Sequence, residues 1–242
     1  MRAVVLAGGY AKRMWPITHD FPKSLLPISG RPAIDYVIDK LLEISVDKIF
    51  VSTNLKFEKL FQGWLASKPH DKIEIIVEQS RSEGEKLGAV RALAELAHRL
   101  PRDDYIIAAG DNLFRDSLKA MVSFYGRVGQ SVVAIFDAED SRQVRRGSVV
   151  TLDHEMRIVG FEEKPVHPTG QVIGACIYIL PFPTFQRTDE YLRQGGRGDE
   201  PGNFIAWLCT KEVVYGFMLE HVWDIGSTEE YERTQRAFGE RL

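Results

Sequence analysis

The first half of the chain alternates between short apolar runs and stretches with helical spacing. The apolar runs are rich in β-branched residues, as is typical of strands, and cover residues 2–7, 48–53, 73–78, 105–109 and 131–137. Between them, helical spacing is found at residues 33–44, 57–66, 86–100 and 116–125. Strands that alternate with helices favour right-handed crossovers and a parallel sheet covered on both faces. We therefore predict an α/β fold with a Rossmann-like, mixed but mostly parallel sheet and helices on both faces.

The regular alternation of predicted strands and helices changes after about residue 138. Residues 147–152 and 157–162 read as a hairpin, and 171–180 as a further strand. We interpret this part as a mixed elaboration at the edge of the sheet and not as a separate folding unit. Ser82 with Glu85, and Ser227 with Glu230, have the spacing of a helix capping box. They predict helix starts before residue 86 and before the C-terminal helix.

Composition excludes several classes of protein. A net charge of −3 argues against a dedicated nucleic-acid binder. Cys176 and Cys209 form no CxxC pattern, which argues against a zinc ribbon or a redox pair. The longest apolar run, 173–180, is too short to span a bilayer, and the N-terminal run is too short for a signal peptide. We therefore expect a soluble cytoplasmic protein.

Two glycines directly follow the first predicted strand. Gly8 and Gly9 come at the carboxyl end of that strand, where α/β folds bind ligands, and Lys12, Arg13 and Lys23 follow. Glycines let backbone N–H groups approach an anion, and cations bind phosphate. The pattern is neither the dinucleotide fingerprint nor the Walker P-loop. Taken alone, it fits a tight turn with solvated charges as well as it fits a phosphate site.

Further motifs occur along the chain. They are Pro16-Ile17-Thr18, Pro22-Lys23-Ser24-Leu25-Leu26-Pro27-Ile28, Leu87-Gly88-Ala89, Gly110-Asp111, Phe161-Glu162-Glu163-Lys164-Pro165 and Trp223-Asp224-Ile225-Gly226. Together with the glycine turn, they resemble the signature of the sugar-phosphate nucleotidylyltransferases, in that family's order and over nearly the whole chain. The resemblance implies the nucleotide-diphospho-sugar transferase fold. It also implies one domain, 1–242, with a nucleotide-binding half at 1–137 and a sugar-binding half at 138–242.

The resemblance implies roles for individual residues. The nucleotide-binding residues would be Leu6, Ala7, Gly8, Gly9, Lys12, Gln79, Gly88 and Asp111. The sugar phosphate would be bound by Gly147, Glu163, Lys164 and Gly174, and the catalytic cations would be Arg13, Lys23 and Lys164. Asp111 and Asp224 would hold Mg²⁺, which takes oxygen ligands.

Most of these residues also have an ordinary structural interpretation. A lone aspartate is usually a cap or turn residue, and a Glu-Lys pair on a strand is usually solvated. Gly147 and Gly174 fit a strand kink equally well. We expect Pro165 to hold Lys164 extended. Whether Glu78 or Gln79 reads the base is left open, because the charged segment 80–86 is longer than the resemblance leads us to expect.

The glycine turn departs from the family pattern at two positions. Ala11 stands where that pattern has a glycine, and Lys12 where it has a small hydroxyl residue. Ala11 is harmless at a negative φ and strained at a positive one. Lys12 exchanges a hydroxyl donor for a cation.

The expected activity is transfer of a nucleoside monophosphate from a nucleoside triphosphate to a sugar 1-phosphate, with release of pyrophosphate. The resemblance favours glucose 1-phosphate with dTTP or UTP. The alternatives are guanylyl or cytidylyl transfer to another sugar phosphate, and a non-catalytic regulatory subunit that binds sugar nucleotides. We expect no nucleic acid and no membrane as partner, and leave a homo-oligomer open. Many family members carry a C-terminal acetyltransferase-like or β-helix extension; we expect none here.

Overall fold

The computed structural model describes residues 1–68 and 71–239. The strands are β1 (Arg2–Leu6), β2 (Pro27–Ile28), β3 (Arg31–Pro32), β4 (Ile49–Asn54), β5 (Ile73–Glu78), β6 (Tyr105–Ala109), β7 (Asn112–Phe114), β8 (Ser131–Asp137), β9 (Ser148–Leu152), β10 (Ile158–Glu163), β11 (Val172–Leu180), β12 (Val214–Met218) and β13 (Val222–Asp224). The helices are α1 (Ala33–Glu43), α2 (Glu58–Ala66), α3 (Ala89–Arg99), α4 (Lys119–Val128), α5 (Ser141–Arg146), α6 (Phe182–Arg193), α7 (Pro201–Cys209) and α8 (Thr228–Gly239). No helix in this part of the chain has the length and apolar character needed to cross a membrane.

The chain forms two compact units, each assembled from separate segments. The first unit consists of Arg2–Leu87, Ala108–Phe114 and the chain from Val222 onward. The second unit consists of Gly88–Ile107 and Arg115–His221, together with Met1. The strand β6 contributes residues to both units. The predicted halves 1–137 and 138–242 concern ligand binding and stay a prediction.

Parallel strands form the centre of the first unit. β4 pairs in parallel with β1 on one side and with β5 on the other. All six residues of β4 are buried, including the polar Ser52, Thr53 and Asn54, as expected of a strand covered on both faces. The crossover helix α1 buries one face through Ile34, Val37, Ile38 and Leu41. The predicted parallel α/β arrangement is therefore confirmed for this unit.

A second apolar cluster of the first unit lies under the C-terminal helix. Its buried members are Met14, Leu26, Ile28, Ala33, Leu113 and Ile225, and the partly buried aromatic residues packed against it are Tyr36, Trp223, Tyr231 and Phe238. These residues come from the segment after β1, from β2 and the residues before it, from α1, from β7, and from β13 and the chain after it. The cluster therefore fixes the segments that carry Arg13, Lys23, Asp111 and Asp224.

Helix α8 begins at the predicted position, with Ser227 as its cap. Glu230 N–H donates to Ser227 Oγ at 3.3 Å, and Ser227 Oγ donates to Glu230 Oε2 at 2.9 Å. Tyr231 Oη and Gln235 Nε2 donate to the Pro27 carbonyl at 2.8 and 2.6 Å. The helix is thus anchored both at its start and along its side.

The second unit contains a mixed sheet. The predicted hairpin is confirmed as β9 and β10, which pair antiparallel. β11 pairs antiparallel with β9 and β8, and β12 adds to β8 in parallel. Combined with the parallel strands of the first unit, this confirms the predicted mixed α/β class.

One predicted helix start is wrong. The capping-box spacing of Ser82 and Glu85 predicts a helix from residue 86, but these residues border a short 3₁₀ turn and α3 begins at Ala89. Gly88 has φ 83°, a left-handed conformation that interrupts the helix path. Glu85 instead accepts a hydrogen bond of 2.8 Å from the Arg81 N–H.

Candidate active site

Neighbouring strands hold the glycine turn after β1 in place. Asn54 Nδ2 donates to the Gly8 carbonyl at 2.9 Å, and the Ala7 N–H donates to the Ser52 carbonyl at 2.8 Å. A Cβ added at Gly8 would lie 2.9 Å from Glu78 Oε1. The carboxylate of Glu78 therefore lies close to the backbone at Gly8, and a side chain at position 8 would displace it.

Ala11 has a positive φ, the strained one of the two backbone conformations considered for it. Its φ is 45° and its ψ is 47°, which is the left-handed region. Its carbonyl accepts hydrogen bonds from the Met14 N–H at 2.9 Å and from Thr18 Oγ at 2.8 Å. This conformation costs a residue with a side chain about 1–2 kcal/mol. The turn thus keeps a glycine-like path although the glycine is absent.

Lys12 forms an ion pair within the first unit. Its Nζ lies 2.5 Å from Glu83 Oε2, and Lys86 Nζ lies 3.2 Å from Glu83 Oε1. Hydrogen bonds from these two lysines lower the pKa of Glu83. The charged segment between β5 and α3 is therefore joined to the glycine turn at the position where Lys12 replaces a hydroxyl residue.

Lys23 and the two predicted metal ligands form one cluster. Lys23 Nζ forms an ion pair with Asp111 and lies 3.9 Å from Asp224 Oδ1. Asp111 lies between β6 and β7, and Asp224 ends β13. Because β13 pairs antiparallel with β7, Asp224 lies opposite Asn112, which donates from Nδ2 to Asp224 Oδ1 at 3.2 Å. The structure therefore brings together two carboxylates that are far apart in the sequence.

This cluster has more negative than positive charge. Burial lowers the pKa of Lys23, but the charges of Asp111 and Asp224 outweigh it, and the net shift is upward. Desolvation and the charge of Asp111 raise the pKa of Asp224 to about 6, against the opposing effect of Lys23. Since 54% of the Asp224 side chain is exposed, desolvation is limited there. Repulsion from Asp111 and Glu230 is therefore the main cause of the raised pKa of Asp224. A further cation would relieve this repulsion.

Gly226 leaves room for three charged side chains. A Cβ added there would lie 2.7 Å from Glu230 Oε2, 2.9 Å from Asp224 Oδ2 and 3.1 Å from Arg13 Nη2. The positive charge of Arg13 also acts on Lys23 and partly offsets the upward shift of the pKa of Lys23. Arg13, Lys23, Asp111 and Asp224 therefore belong to one site of the first unit.

The donor set of this site suits Mg²⁺. Carboxylate oxygens are hard ligands, and Mg²⁺ is usually held by one or two carboxylates together with substrate phosphates. Within residues 1–68 and 71–239, no group of three or more His, Cys, Asp and Glu side chains could hold a metal ion. The two aspartates fit a cation that also binds phosphate oxygens.

Lys164 departs from its predicted backbone conformation. The following proline predicts an extended residue, but φ is 48°, so that prediction is wrong. The Lys164 N–H donates to the Gly147 carbonyl at 2.9 Å, and Nζ pairs with Glu200 and lies 3.6 Å from Glu163 Oε1. The hairpin and these ion pairs hold the chain in a turn that the preference of a residue before proline does not predict.

Glu163 occupies a tight position in the second unit. Its carboxylate accepts a hydrogen bond from Ser148 Oγ, and a Cβ added at Gly202 would overlap it. A hydrogen bond from Lys164 lowers the pKa of Glu200. Glu163, Lys164, Ser148 and Glu200 thus form a second charged cluster, which contains two of the predicted sugar-phosphate ligands.

Gly147 and Gly174 have packing reasons to lack a side chain. A Cβ at Gly174 would lie 3.2 Å from the Phe161 ring, and one at Gly147 would lie 3.1 Å from the Gln143 carbonyl oxygen. The pairing of β11 with β8 shifts register after Gly174, as at a bulge. The interpretation as a strand irregularity is therefore supported for Gly174, whereas Gly147 is the C-cap of helix α5 and lies outside the strands. The contacts of both glycines with a sugar stay predictions.

Gly88 is enclosed by a loop of the second unit. A Cβ added there would lie 2.5 Å from the Gly198 carbonyl oxygen and from Asp199 Oδ1. The Val90 N–H donates to the same Gly198 carbonyl at 2.8 Å. This contact accounts for Gly88 without a ligand, and its predicted role at the base stays a prediction.

Gln79 and Glu78 differ in placement. Gln79 is exposed, whereas Glu78 is partly buried and its carboxylate lies against Gly8. Glu78 Oε1 accepts a hydrogen bond of 3.2 Å from Ser52 Oγ. Of these two neighbours, Glu78 is therefore the one that reaches the glycine turn. The predicted nucleotide contacts of Gln79, Leu6 and Ala7 stay predictions.

Comparison with known proteins decides the family. Residues 2–240 match the family model described as Nucleotidyl transferase. The chain belongs to this family. The resemblance that the sequence motifs indicate is thereby confirmed.

Members of the family that are similar to this chain differ in length. The bifunctional protein GlmU of Methanocaldococcus jannaschii is 28% identical over 228 residues, which are 93% of this chain and 51% of that protein. The D-glycero-alpha-D-manno-heptose 1-phosphate guanylyltransferase of Aneurinibacillus thermoaerophilus is 26% identical over 242 residues, 98% of this chain and 97% of that enzyme. The chain thus spans about half the length of the GlmU relative.

A solved structure supports the fold. A putative glucose-1-phosphate thymidylyltransferase from Bacillus anthracis superimposes with a TM-score of 0.81 at 21% identity, covering 98% of this chain and 94% of that one. Such low identity shows the fold alone. The predicted nucleotidyltransferase fold is confirmed.

Several residues of the two charged clusters were not predicted from the family motifs. Glu230 was identified only as a helix cap, although its carboxylate also lies beside Asp224. Asn112 follows Asp111 directly, so its position in the Gly110-Asp111 motif was a usable signal. Ser148 pairs with Glu163 across the hairpin of β9 and β10, so the predicted hairpin was a usable signal for it. Glu200 meets Lys164 only through tertiary packing, and the sequence carries no signal for it.

Proposed function

We propose that this member of the family transfers a nucleoside monophosphate from a nucleoside triphosphate to a sugar 1-phosphate. The cluster in which Lys23 meets both Asp111 and Asp224 carries the proposal. Its position supports the proposal, because the Gly110 N–H donates to the Leu6 carbonyl at 2.9 Å. The cluster and the glycine turn therefore lie at the same edge of the sheet.

The proposed reaction joins two anions. A phosphate oxygen of the sugar 1-phosphate forms a bond to the α-phosphorus, the bond from that phosphorus to the bridging oxygen breaks, and pyrophosphate leaves with the electron pair. The attacking oxygen is already anionic near neutral pH, so no protein base has to remove a proton. Holding the reactants in line can supply about 7–11 kcal/mol of the barrier.

Each charged side chain would bind a different part of the two reactants. Lys23 would bind the α-phosphate region, and Arg13 with Lys12 would stabilise the leaving pyrophosphate. Lys164 would bind the sugar phosphate, and Glu163 would accept hydrogen bonds from sugar hydroxyls. Mg²⁺ bound by Asp111 and Asp224 would supply charge neutralisation at phosphate oxygens. Gly226 keeps the space that Arg13 and Asp224 need.

The experiment that tests the proposal is a substrate matrix. The chain is incubated with Mg²⁺, one of five nucleoside triphosphates and one of several sugar 1-phosphates, and pyrophosphate is measured. We expect release with at least one pair. Nucleotide binding without any release would overturn the proposal in favour of a non-catalytic binding subunit.

Lys164→Ala tests the role of one cation. Loss of a charged hydrogen bond predicts a fall in turnover of about 10- to 200-fold. Lys59→Ala, which removes an exposed lysine from α2, is the matched control. Equal turnover in the two variants would contradict the role of Lys164.

The matrix also decides the substrates. Glucose 1-phosphate with dTTP or UTP is one expectation, and guanylyl transfer has the support of the heptose 1-phosphate guanylyltransferase among the relatives. The structural neighbour is named for thymidylyl transfer, so the names of similar proteins do not select a base.

A further inference from the structure

Lys12, one of the cations that follow the glycine turn, is already paired with a carboxylate. Its Nζ lies 2.5 Å from Glu83 Oε2, whereas Nη2 of the neighbouring Arg13 lies beside Gly226. The Lys12 side chain is 55% exposed and the Glu83 side chain 26% exposed, so a ligand can reach both groups from solvent. A phosphate that binds Lys12 therefore meets the negative charge of Glu83 at the same ammonium group.

The carboxylate of Glu83 joins two lysines of the first unit. Oε2 faces Lys12, and Oε1 lies 3.2 Å from the Nζ of Lys86, three residues further along the chain. Hydrogen bonds from Lys12 and Lys86 lower the pKa of Glu83, so its carboxylate is ionised near neutral pH. When Glu83 leaves Lys12, its charge stays paired with Lys86. This second pair lowers the cost of separating Glu83 from Lys12.

The backbone around Glu83 is held by contacts that do not involve Lys12. The Arg81 N–H donates to Glu85 Oε2 at 2.8 Å. The Glu85 N–H donates to the Ser82 carbonyl at 3.1 Å, which closes the short 3₁₀ turn that contains Glu83. The carboxylate of Glu83 can therefore leave Lys12 by rotation of its own side chain, while the backbone of the turn stays in place.

We propose that Glu83 is a displaceable counter-ion of Lys12, which the β- and γ-phosphates of the nucleoside triphosphate replace on binding. The inference rests on the proposed function, because that function places Lys12 at the leaving pyrophosphate. Glu83 returns to Lys12 when pyrophosphate leaves, so it weakens the binding of triphosphate and pyrophosphate alike and favours product release. The binding of a nucleoside monophosphate, which has no phosphate group at Lys12, does not depend on Glu83.

The test is a calorimetric titration of the full chain at fixed Mg²⁺. The probes are inorganic pyrophosphate, and GTP, UTP, dTTP, CTP and ATP, each compared with its own monophosphate. In Glu83→Gln, we expect pyrophosphate and triphosphate to bind about 3- to 10-fold more tightly, because repulsion between exposed charges at close range is removed. Monophosphates should bind as before. The gain should shrink when salt is raised from about 0.05 M to about 0.5 M, because salt screens exposed charges.

Two further variants are the controls. Glu85→Gln removes a carboxylate from the same 3₁₀ turn, and glutamine can still accept the hydrogen bond from the Arg81 N–H, so the pyrophosphate affinity should change by less than about 2-fold. Lys12→Gln should weaken the binding of pyrophosphate. Adding Glu83→Gln to Lys12→Gln should restore little of that affinity, because the counter-ion acts through Lys12.

The outcomes separate the inference from the proposed function. Equal or weaker pyrophosphate binding by Glu83→Gln would overturn the inference, as would a full gain without Lys12 or no pyrophosphate binding by any variant. A merely structural role of Glu83 predicts weaker binding of monophosphate and triphosphate alike, which would also overturn it. In each case, pyrophosphate release by the unaltered chain would leave the proposed function standing. The expected binding differences without release from any substrate pair would support the counter-ion while the proposed function fails.

Discussion

Ala11 holds a left-handed backbone that glycine adopts without steric cost. We expect Ala11→Gly to raise the free energy of unfolding by about 1 kcal/mol, because relief of strain exceeds the added freedom of the unfolded chain. Urea unfolding measures the change. Ala66→Gly, the same substitution at the end of α2, should destabilise instead. Equal effects of the two substitutions would show that Ala11 carries no strain.

Gly226 is the residue whose missing side chain matters most for the site. In Gly226→Ala, the new Cβ would lie within 3 Å of Asp224 Oδ2 and Glu230 Oε2. Both groups are ends of flexible side chains, so they can move with little loss of stability. We therefore expect pyrophosphate release to fall at least about 10-fold as Asp224 and Arg13 shift.

The control for Gly226→Ala is Gly63→Ala. A Cβ at Gly63 meets no atom within 4 Å, and the residue lies in α2, where alanine is the better helix former. This variant should keep full turnover and gain slightly in stability. If Gly226→Ala also keeps full turnover, the space at Gly226 is not needed for the reaction.

Among the elements, α8 depends on its first turn. Ser227→Ala removes the hydroxyl that accepts from the Glu230 N–H, and we expect a loss of about 1 kcal/mol in the free energy of unfolding. Ser227→Thr keeps a capping hydroxyl and should retain most of the stability. Urea titrations of both variants separate loss of the cap from a general effect of substitution at residue 227; equal losses would argue against capping.

Some strands and helices can be located from sequence patterns alone. The strands at 73–78, 105–109 and 131–137 agree with the predicted bounds, because each is a short run rich in β-branched or other apolar residues with clear edges. The start of α3 was missed because the left-handed Gly88 overrides a capping-box spacing. The bend at Lys164 was missed for a similar reason, since ion pairs with Glu200 and Glu163 exist only after folding.

For the whole molecule, the site in the first unit depends on topology. Lys23, Asp111 and Asp224 come from three separate segments, and the antiparallel pair β7 and β13 brings the last two together. Composition and spacing alone do not predict that pairing; the resemblance to a family implied it. That the side chain of Glu78 turns toward Gly8 is likewise visible only in the folded chain.

The interleaving of segments also bears on how the molecule unfolds. Each unit is built from stretches that are separated in sequence by stretches of the other, and β6 contributes residues to both. Neither unit can therefore be removed as one continuous piece of chain. We expect a single cooperative unfolding transition in urea.

Two probes in different units test this cooperativity. Trp207 lies in the second unit, so the experiment uses a Trp207→Phe variant, in which Trp15, Trp64 and Trp223 report on the first unit by fluorescence. Cys209 in α7 reports on the second unit by thiol labelling. Desolvation raises the pKa of Cys209 to about 12, so the thiol should react slowly at pH 8 until the unit opens, when its pKa returns to about 8.5. We expect the same urea midpoint from tryptophan fluorescence and from mass-spectrometric labelling of Cys209. Labelling that is complete at a urea concentration where fluorescence is still native would show that the second unit opens first. The shared and interleaved segments would then not be enough to make the two units unfold together.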